Sequence, residues 1–175
     1  MAITRSCFAP VFLLLAFAAA APAQDQPRDA WRNWSRYGGG PDAIKYSGLT
    51  QINRDNVNKL EVAWTFDTHD AYQGSELQCN PLVIDGVLYA TTPKLRLIAL
   101  DAATGKLRWY YQFVHHDLWD TDIVGTTLVE AWKGGHEVPA VAALTKSALL
   151  FVLDRRTGKP IFGVYEQPVA QSSVP

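Results

Sequence analysis

Leu149-Leu150-Phe151-Val152-Leu153-Asp154-Arg155-Arg156-Thr157-Gly158-Lys159-Pro160-Ile161-Phe162 repeats a phrase written earlier as Leu95-Arg96-Leu97-Ile98-Ala99-Leu100-Asp101-Ala102-Ala103-Thr104-Gly105-Lys106-Leu107-Arg108-Trp109. In both copies an apolar run of strand length meets an Asp-x-x-Thr-Gly-Lys turn, and a second run ends on an aromatic. Glycine supplies the positive φ of such a turn, while Asp and Thr side chains bond its amides. Asp101 and Asp154, like Gly105 and Gly158, stand 53 positions apart. A period of about 50 residues made of short strands points to propeller blades. The expected fold class is all-β, a partial β-propeller.

Outward from the first copy, Pro81-Leu82-Val83-Ile84 and Val87-Leu88-Tyr89-Ala90 flank Asp85-Gly86. Asp-Gly between two apolar runs is a strong hairpin signal, because both turn positions tolerate positive φ. Between the two copies lies Val114-His115-His116-Asp117-Leu118-Trp119-Asp120-Thr121-Asp122, followed after one strand-like segment by Thr145-Lys146. Three carboxylates, two imidazoles and an indole in one short run give what a proton-abstracting site needs: an oriented base, partly desolvated, close to a charge that tunes it. The paired imidazoles with Asp117 also suggest metal ligation, but adjacent residues of a strand point to opposite faces and do not easily serve one ion.

The 16 basic side chains balance 17 acidic ones with no basic stripe, so nucleic acid is not a favoured partner. A basic start at Arg5, an apolar centre at Leu13-Leu14-Leu15 and the small-residue exit Ala21-Pro22-Ala23 describe a secretory signal peptide over residues 1–23. The mature domain is expected to be residues 24–175. Cys7 precedes the apolar run, which argues against a lipidated N-terminus; cleavage then leaves Cys79 alone, without an intrachain disulfide partner.

Trp34-Ser35-Arg36-Tyr37-Gly38-Gly39, Tyr46-Ser47-Gly48-Leu49, Gln51-Ile52-Asn53, Ala63-Trp64, Asn80-Pro81-Leu82-Val83 and the block from His115 to Asp122 together resemble the quinoprotein dehydrogenases that use pyrroloquinoline quinone. The His-His-Asp-Leu-Trp-Asp block favours the glucose-dehydrogenase-like branch over the methanol-dehydrogenase-like one. The resemblance implies an eight-bladed periplasmic propeller carrying the quinone and a calcium or other metal ion on its axis. It implies a small sugar or alcohol as substrate and a quinone or cytochrome as electron acceptor, and it leaves membrane association open. Carried over by position, Asp120 matches the catalytic base and Lys146 the basic residue that bonds the quinone oxygens. Gln78 falls where many members place a cofactor-side Glu. Asp122 falls where lanthanide-using members carry a metal-binding Asp, which glucose-type members share.

Such a propeller runs to several hundred residues, and this chain holds about three blades' worth. Up to Trp109 the chain resembles an early blade, and from Tyr110-Tyr111-Gln112-Phe113-Val114 onward a late one. The intervening blades, which in the family carry metal-ligating Glu and Asn, a vicinal disulfide and a Trp under the cofactor, are absent from the sequence. Two readings follow: a quinone-dependent dehydrogenase in internally deleted or truncated form, or a non-catalytic propeller-like binding or assembly module.

Overall fold

The computed structural model describes residues 33–115, 117 and 119–168; the leader read over residues 1–23, together with His116 and Leu118, lies outside the described residues. Asp85 and Gly86 take φ of 51° and 71° and turn the chain between β1 (Leu82–Ile84) and β2 (Val87–Thr91). The hairpin continues antiparallel into β3 (Arg96–Asp101) and β4 (Leu107–Gln112), giving a four-stranded sheet in the order β1-β2-β3-β4, here blade 1. β4 runs through Trp109 and Tyr110, where a joint between blades is expected, in unbroken register, with Ala99 opposite Trp109 and Ile98 opposite Tyr110.

Blade 2 is the three-stranded sheet β5 (Ile123–Lys133), β6 (His136–Thr145) and β7 (Leu150–Asp154). The single strand-like segment expected before Thr145 is therefore a hairpin of two strands, turned by Gly134 and Gly135 at φ 61° and 83°. Pro139 sits in β6 without cost to the ladder: the pairing with β7 ends at Ala140, so no N–H is missed there. Blade 2's fourth position is only begun, by a bridge from Pro160 to Leu153 and an Ile161 N–H to Val152 O bond of 2.8 Å.

The repeated turns close in the same way. Asp101 Oδ1 accepts the Thr104 amide and hydroxyl at 3.0 and 2.9 Å, and Asp154 Oδ1 accepts the Arg156 amide at 2.8 Å. Each turn then receives a tryptophan. The Trp64 ring lies over Gly105 and its Nε1–H donates to Ala102 O at 3.1 Å; the Trp109 ring lies over Gly158 and donates to Arg155 O at 3.0 Å. Trp109 thereby docks blade 1 on blade 2. Between the blades Leu82, Tyr89, Leu97 and Ala99 meet Val141, Ala143, Phe151 and Leu153 in one core. Phe113 and Phe151 contact edge to face at 4.8 Å.

Two blade sheets are thus present among the described residues. Residues 33–81 drape over blade 1 instead of forming a sheet of their own: Trp34 pairs with Val83 and covers the free edge of β1, while Trp64 and Phe66 cover Ala90, Ile98 and Leu100. A buried Asp70–Arg96 ion pair, with Arg96 also donating to Thr68 O, pins this segment to β3. Burial pushes the Asp70 carboxyl up, but the Thr92 and Arg96 hydrogen bonds and the Arg96 charge outweigh it and hold it below the usual range. Among the described residues no helix is long and apolar enough to cross a membrane.

Candidate functional site

The β5–β6 hairpin brings the acidic run to the lysine. Asp122 immediately precedes β5 and Lys146 immediately follows β6, and the ladder extends to them through the Lys146 N–H to Asp122 O bond at 2.9 Å. Lys146 Nζ then lies 2.7 Å from Asp120 Oδ2 and 2.6 Å from Asp122 Oδ2. Hydrogen bonds to the Asp120 and Asp122 carboxylates raise the lysine above its usual range and keep it an ammonium. An ammonium has three donors; two are used here, which leaves one for a further acceptor.

Asp120 takes φ 56°, a conformation that L-residues with a side chain seldom adopt. Asp117 builds the turn that imposes it. Its carboxylate accepts the Trp119 amide at 3.1 Å, the Thr121 amide at 3.0 Å and the Thr121 hydroxyl at 2.9 Å. Desolvation raises the Asp117 pKa, but these bonds and the nearby Lys146 together keep it below the ordinary carboxylate range. The side chain of Asp120 is 78% exposed, and Trp119 stands in solvent. His115 faces elsewhere, with Nε2 2.8 Å from Glu166 Oε1.

A cavity of about 460 Å³ opens beside this cluster, between residues 72–79 and the β2–β3 turn on one side and the start of β5 on the other. Its wall includes Glu76, Gln78, Cys79, Asp122 and Lys146. Three of the four residues singled out in the sequence therefore share one cavity, and Asp120 reaches it through its ion pair with Lys146. Glu76 was not singled out. Its signal was the extended run to Gln78, in which positions two apart lie on one face, and the Gln78 amide does bond the Glu76 carboxylate.

The volume falls inside the range of about 300–1,000 Å³ usual for small-molecule sites, and the free Lys146 donor and the Gln78 amide suit the carbonyl oxygens of a quinone. A metal ion is served less well. Among the described residues no three His, Cys, Asp or Glu side chains gather as ligands, and the Asp122 carboxylate is engaged by Lys146.

The family model described as PQQ, the glucose/ethanol/alcohol dehydrogenase β-propeller domain, matches residues 34–109 and again 96–175, so its first match ends at Trp109. Quinoprotein glucose dehydrogenase of Gluconobacter oxydans is 53% identical over 122 residues, which are 69% of this chain and 14% of that protein. The dehydrogenase subunit of the quinone alcohol dehydrogenase of the same organism is 40% identical over 139 residues, 78% of this chain and 17% of that one. The crystal structure of quinohemoprotein alcohol dehydrogenase from Comamonas testosteroni superposes with a TM-score of 0.57 at 29% identity, over 76% of this chain and 19% of that chain. The chain spans less than a fifth of the length of each of these three proteins.

Proposed function

The chain belongs to the PQQ-dependent glucose/ethanol/alcohol dehydrogenase β-propeller family, and from that premise we propose that it carries the proton-abstracting wall of a periplasmic sugar or alcohol dehydrogenase. The observation that carries the reading is the Lys146 ammonium bridging Asp120 and Asp122 at the mouth of the cavity. Asp120 takes the hydroxyl proton of the substrate, and the carbinol carbon is left as a carbonyl. The quinone, when bound, supplies the hydride acceptor. Lys146 holds the quinone oxygen with its remaining donor and stabilises negative charge arising there. Gln78 donates its amide to the same ligand. Asp122 keeps Lys146 oriented; no step is assigned to a metal. Electrons pass onward to a quinone or cytochrome acceptor.

In this proposal an early blade is joined to a late one at Trp109-Tyr110, and the intervening blades that would close over the site are lacking. The two overlapping family matches support such a joint. The chain alone is then expected to bind the quinone weakly and to show no dye-linked oxidation of glucose or ethanol when the quinone is added with calcium or a lanthanide. In a protein with the intervening blades restored, Asp120→Asn keeps the shape and removes the base, so turnover should fall by roughly 10² to 10⁴-fold. Full turnover in that variant would make His116 or Asp117 the next candidate base to test. Export through residues 1–23 belongs to the proposal as well, and secreted material should begin near Gln24; soluble periplasmic protein beginning at Met1 would refute it.

The second reading, a non-catalytic binding or assembly module, is favoured by one observation: Asp120 is 78% exposed, where a general base requires cover.

A further inference from the structure

Asp120 is placed from both sides. After it, the ladder fixes the chain, through the Lys146 N–H to Asp122 O bond and the start of β5 at Ile123. Before it, the hold comes from the Asp117 carboxylate. Asp117 Oδ1 accepts the Trp119 amide, the Thr121 hydroxyl and, at 3.2 Å, the Thr121 amide; Oδ2 accepts the same Thr121 amide at 3.0 Å. The amides of the residues on either side of Asp120 thus point at one anion, the concave arrangement of backbone N–H groups that a left-handed residue permits. Asp120 supplies that conformation at φ 56°.

Such a turn does not hold itself. A residue with a side chain is disfavoured in the left-handed region by roughly 5- to 30-fold. One hydrogen bond to a charged acceptor is commonly worth roughly 10-fold or more, so the bonds gathered on Asp117 together outweigh the backbone penalty. Their effect reaches the lysine. Asp122 meets the Lys146 ammonium from the end of the ladder, at 2.6 Å, whereas Asp120 meets it from the turn, at 2.7 Å.

We propose that Asp117 is a positioning residue for Asp120: as a hydrogen-bond acceptor it holds the left-handed backbone that brings the Asp120 carboxylate to Lys146. Thr121, half-buried and bound through both its amide and its hydroxyl, belongs to the same device. The role needs the acceptor atoms of Asp117 and not its charge. Its oxygens are turned onto the chain, and the group that faces outward is Asp120. The consequence for the reaction, a base delivered already oriented, rests on the reading of Asp120 as that base; the backbone device does not.

Asp117→Asn separates acceptor from charge, because an amide oxygen can keep the Oδ1 bonds while the Oδ2 bond is given up. Asp117→Ala removes both. In the isotope-labelled full chain, NMR should show at Asp120 the strong intraresidue amide-to-Hα NOE of a positive φ, and NOEs from the Lys146 side chain to the Asp120 Hβ protons. Asp117→Asn should keep these signatures. Asp117→Ala should lose them, retain the contact of Lys146 with Asp122, and let the Thr121 amide exchange with solvent roughly 10-fold faster than in the parent, with the amides of β5 and β6 as protected as before. These signatures report backbone geometry, so they can be judged whether or not Asp120→Asn abolishes turnover in the restored protein. A left-handed Asp120 that survives in Asp117→Ala, an Asp117→Asn chain that behaves like Asp117→Ala, or protection lost throughout β5 and β6 in Asp117→Ala would each overturn the proposal.

Discussion

Gly158→Ala tests the docking of one blade on the next. A Cβ at this position would lie 2.6 Å from Trp109 Cε3, and the backbone is held at φ 72°. The indole has little freedom to retreat, since its Nε1–H is bonded to Arg155 O at 3.0 Å and its ring is stacked at a tilt on Tyr89, 5.8 Å away. Gly86→Ala is the control, because Gly86 takes almost the same φ of 71° but nothing lies within 4 Å of its added Cβ. Both variants incur the left-handed backbone penalty of about 1–2 kcal/mol. Only Gly158→Ala adds overpacking, typically about 1–3 kcal/mol. With a urea m-value of about 2 kcal/mol/M, the midpoint of Gly158→Ala should lie roughly 0.5–1.5 M below that of Gly86→Ala. Trp109→Leu should then remove the overpacking part of the difference between Gly158→Ala and its parent, leaving the backbone penalty, which a double-mutant cycle detects. Equal midpoints for the two glycine variants would refute the close approach and with it the blade-to-blade docking.

The Lys146 ammonium, raised by Asp120 and Asp122, should titrate at lower pH in Asp120→Asn and in Asp122→Asn, as followed by NMR of the lysine side chain. Because its folded pKa is raised, its contribution to stability is complete below the free lysine value and is lost as pH rises through the folded one; an unshifted lysine in both variants would dissolve the proposed cluster. Asp101, bonded by Arg108 and Thr104, is lowered from 3.8 to about 2, and Asp70 and Asp154 are lowered as well. Depressed carboxylates stabilise the fold above their unfolded pKa and cease to do so as pH falls through the folded one. Acid unfolding should therefore be concentrated below about pH 4, and Arg108→Ala should move the Asp101 titration, seen in its carboxyl resonance, back toward 3.8.

The parts of the fold that local chemistry specifies were legible. Asp85-Gly86 and the two Thr-Gly-Lys turns state their own backbone angles, and the strands on either side follow. Gly134-Gly135 carries the same kind of signal, yet Pro139 in the following run masks the second strand unless one knows that β7 ends before reaching it. The run from His115 to Asp122 stood out by its density of titratable groups, but the separate roles of Asp120, Asp122, Lys146 and Gln78 were legible only by resemblance. Nothing local joins Lys146 to Asp120 and Asp122; a hairpin of 21 paired-strand positions lies between them, 11 in β5 and 10 in β6, and its register does the joining. Glu76 and the bond from His115 to Glu166 depend on how remote segments pack, which no residue of either segment announces.

The unequal state of the fold and the site has one physical cause. Blade packing is a nearest-neighbour affair, so two blades suffice to bury Leu97, Ala99, Val141 and Leu153 completely. A general base is different, because its strength in abstracting a proton depends on removal of water from all sides. Asp117 already holds Asp120 in its unusual backbone conformation, and Lys146 already pairs with it, so orientation and charge are provided within this chain. Cover is not, with Asp120 78% exposed. Leu144, on the uncovered face of blade 2, precedes Lys146 by two positions along the same strand end. Covering that face would bring low-dielectric surface toward the ammonium and its two carboxylates. Desolvation strengthens that ion pair and penalises each charge. Cover on that face would for that reason bear on the chemistry proposed at the cavity mouth.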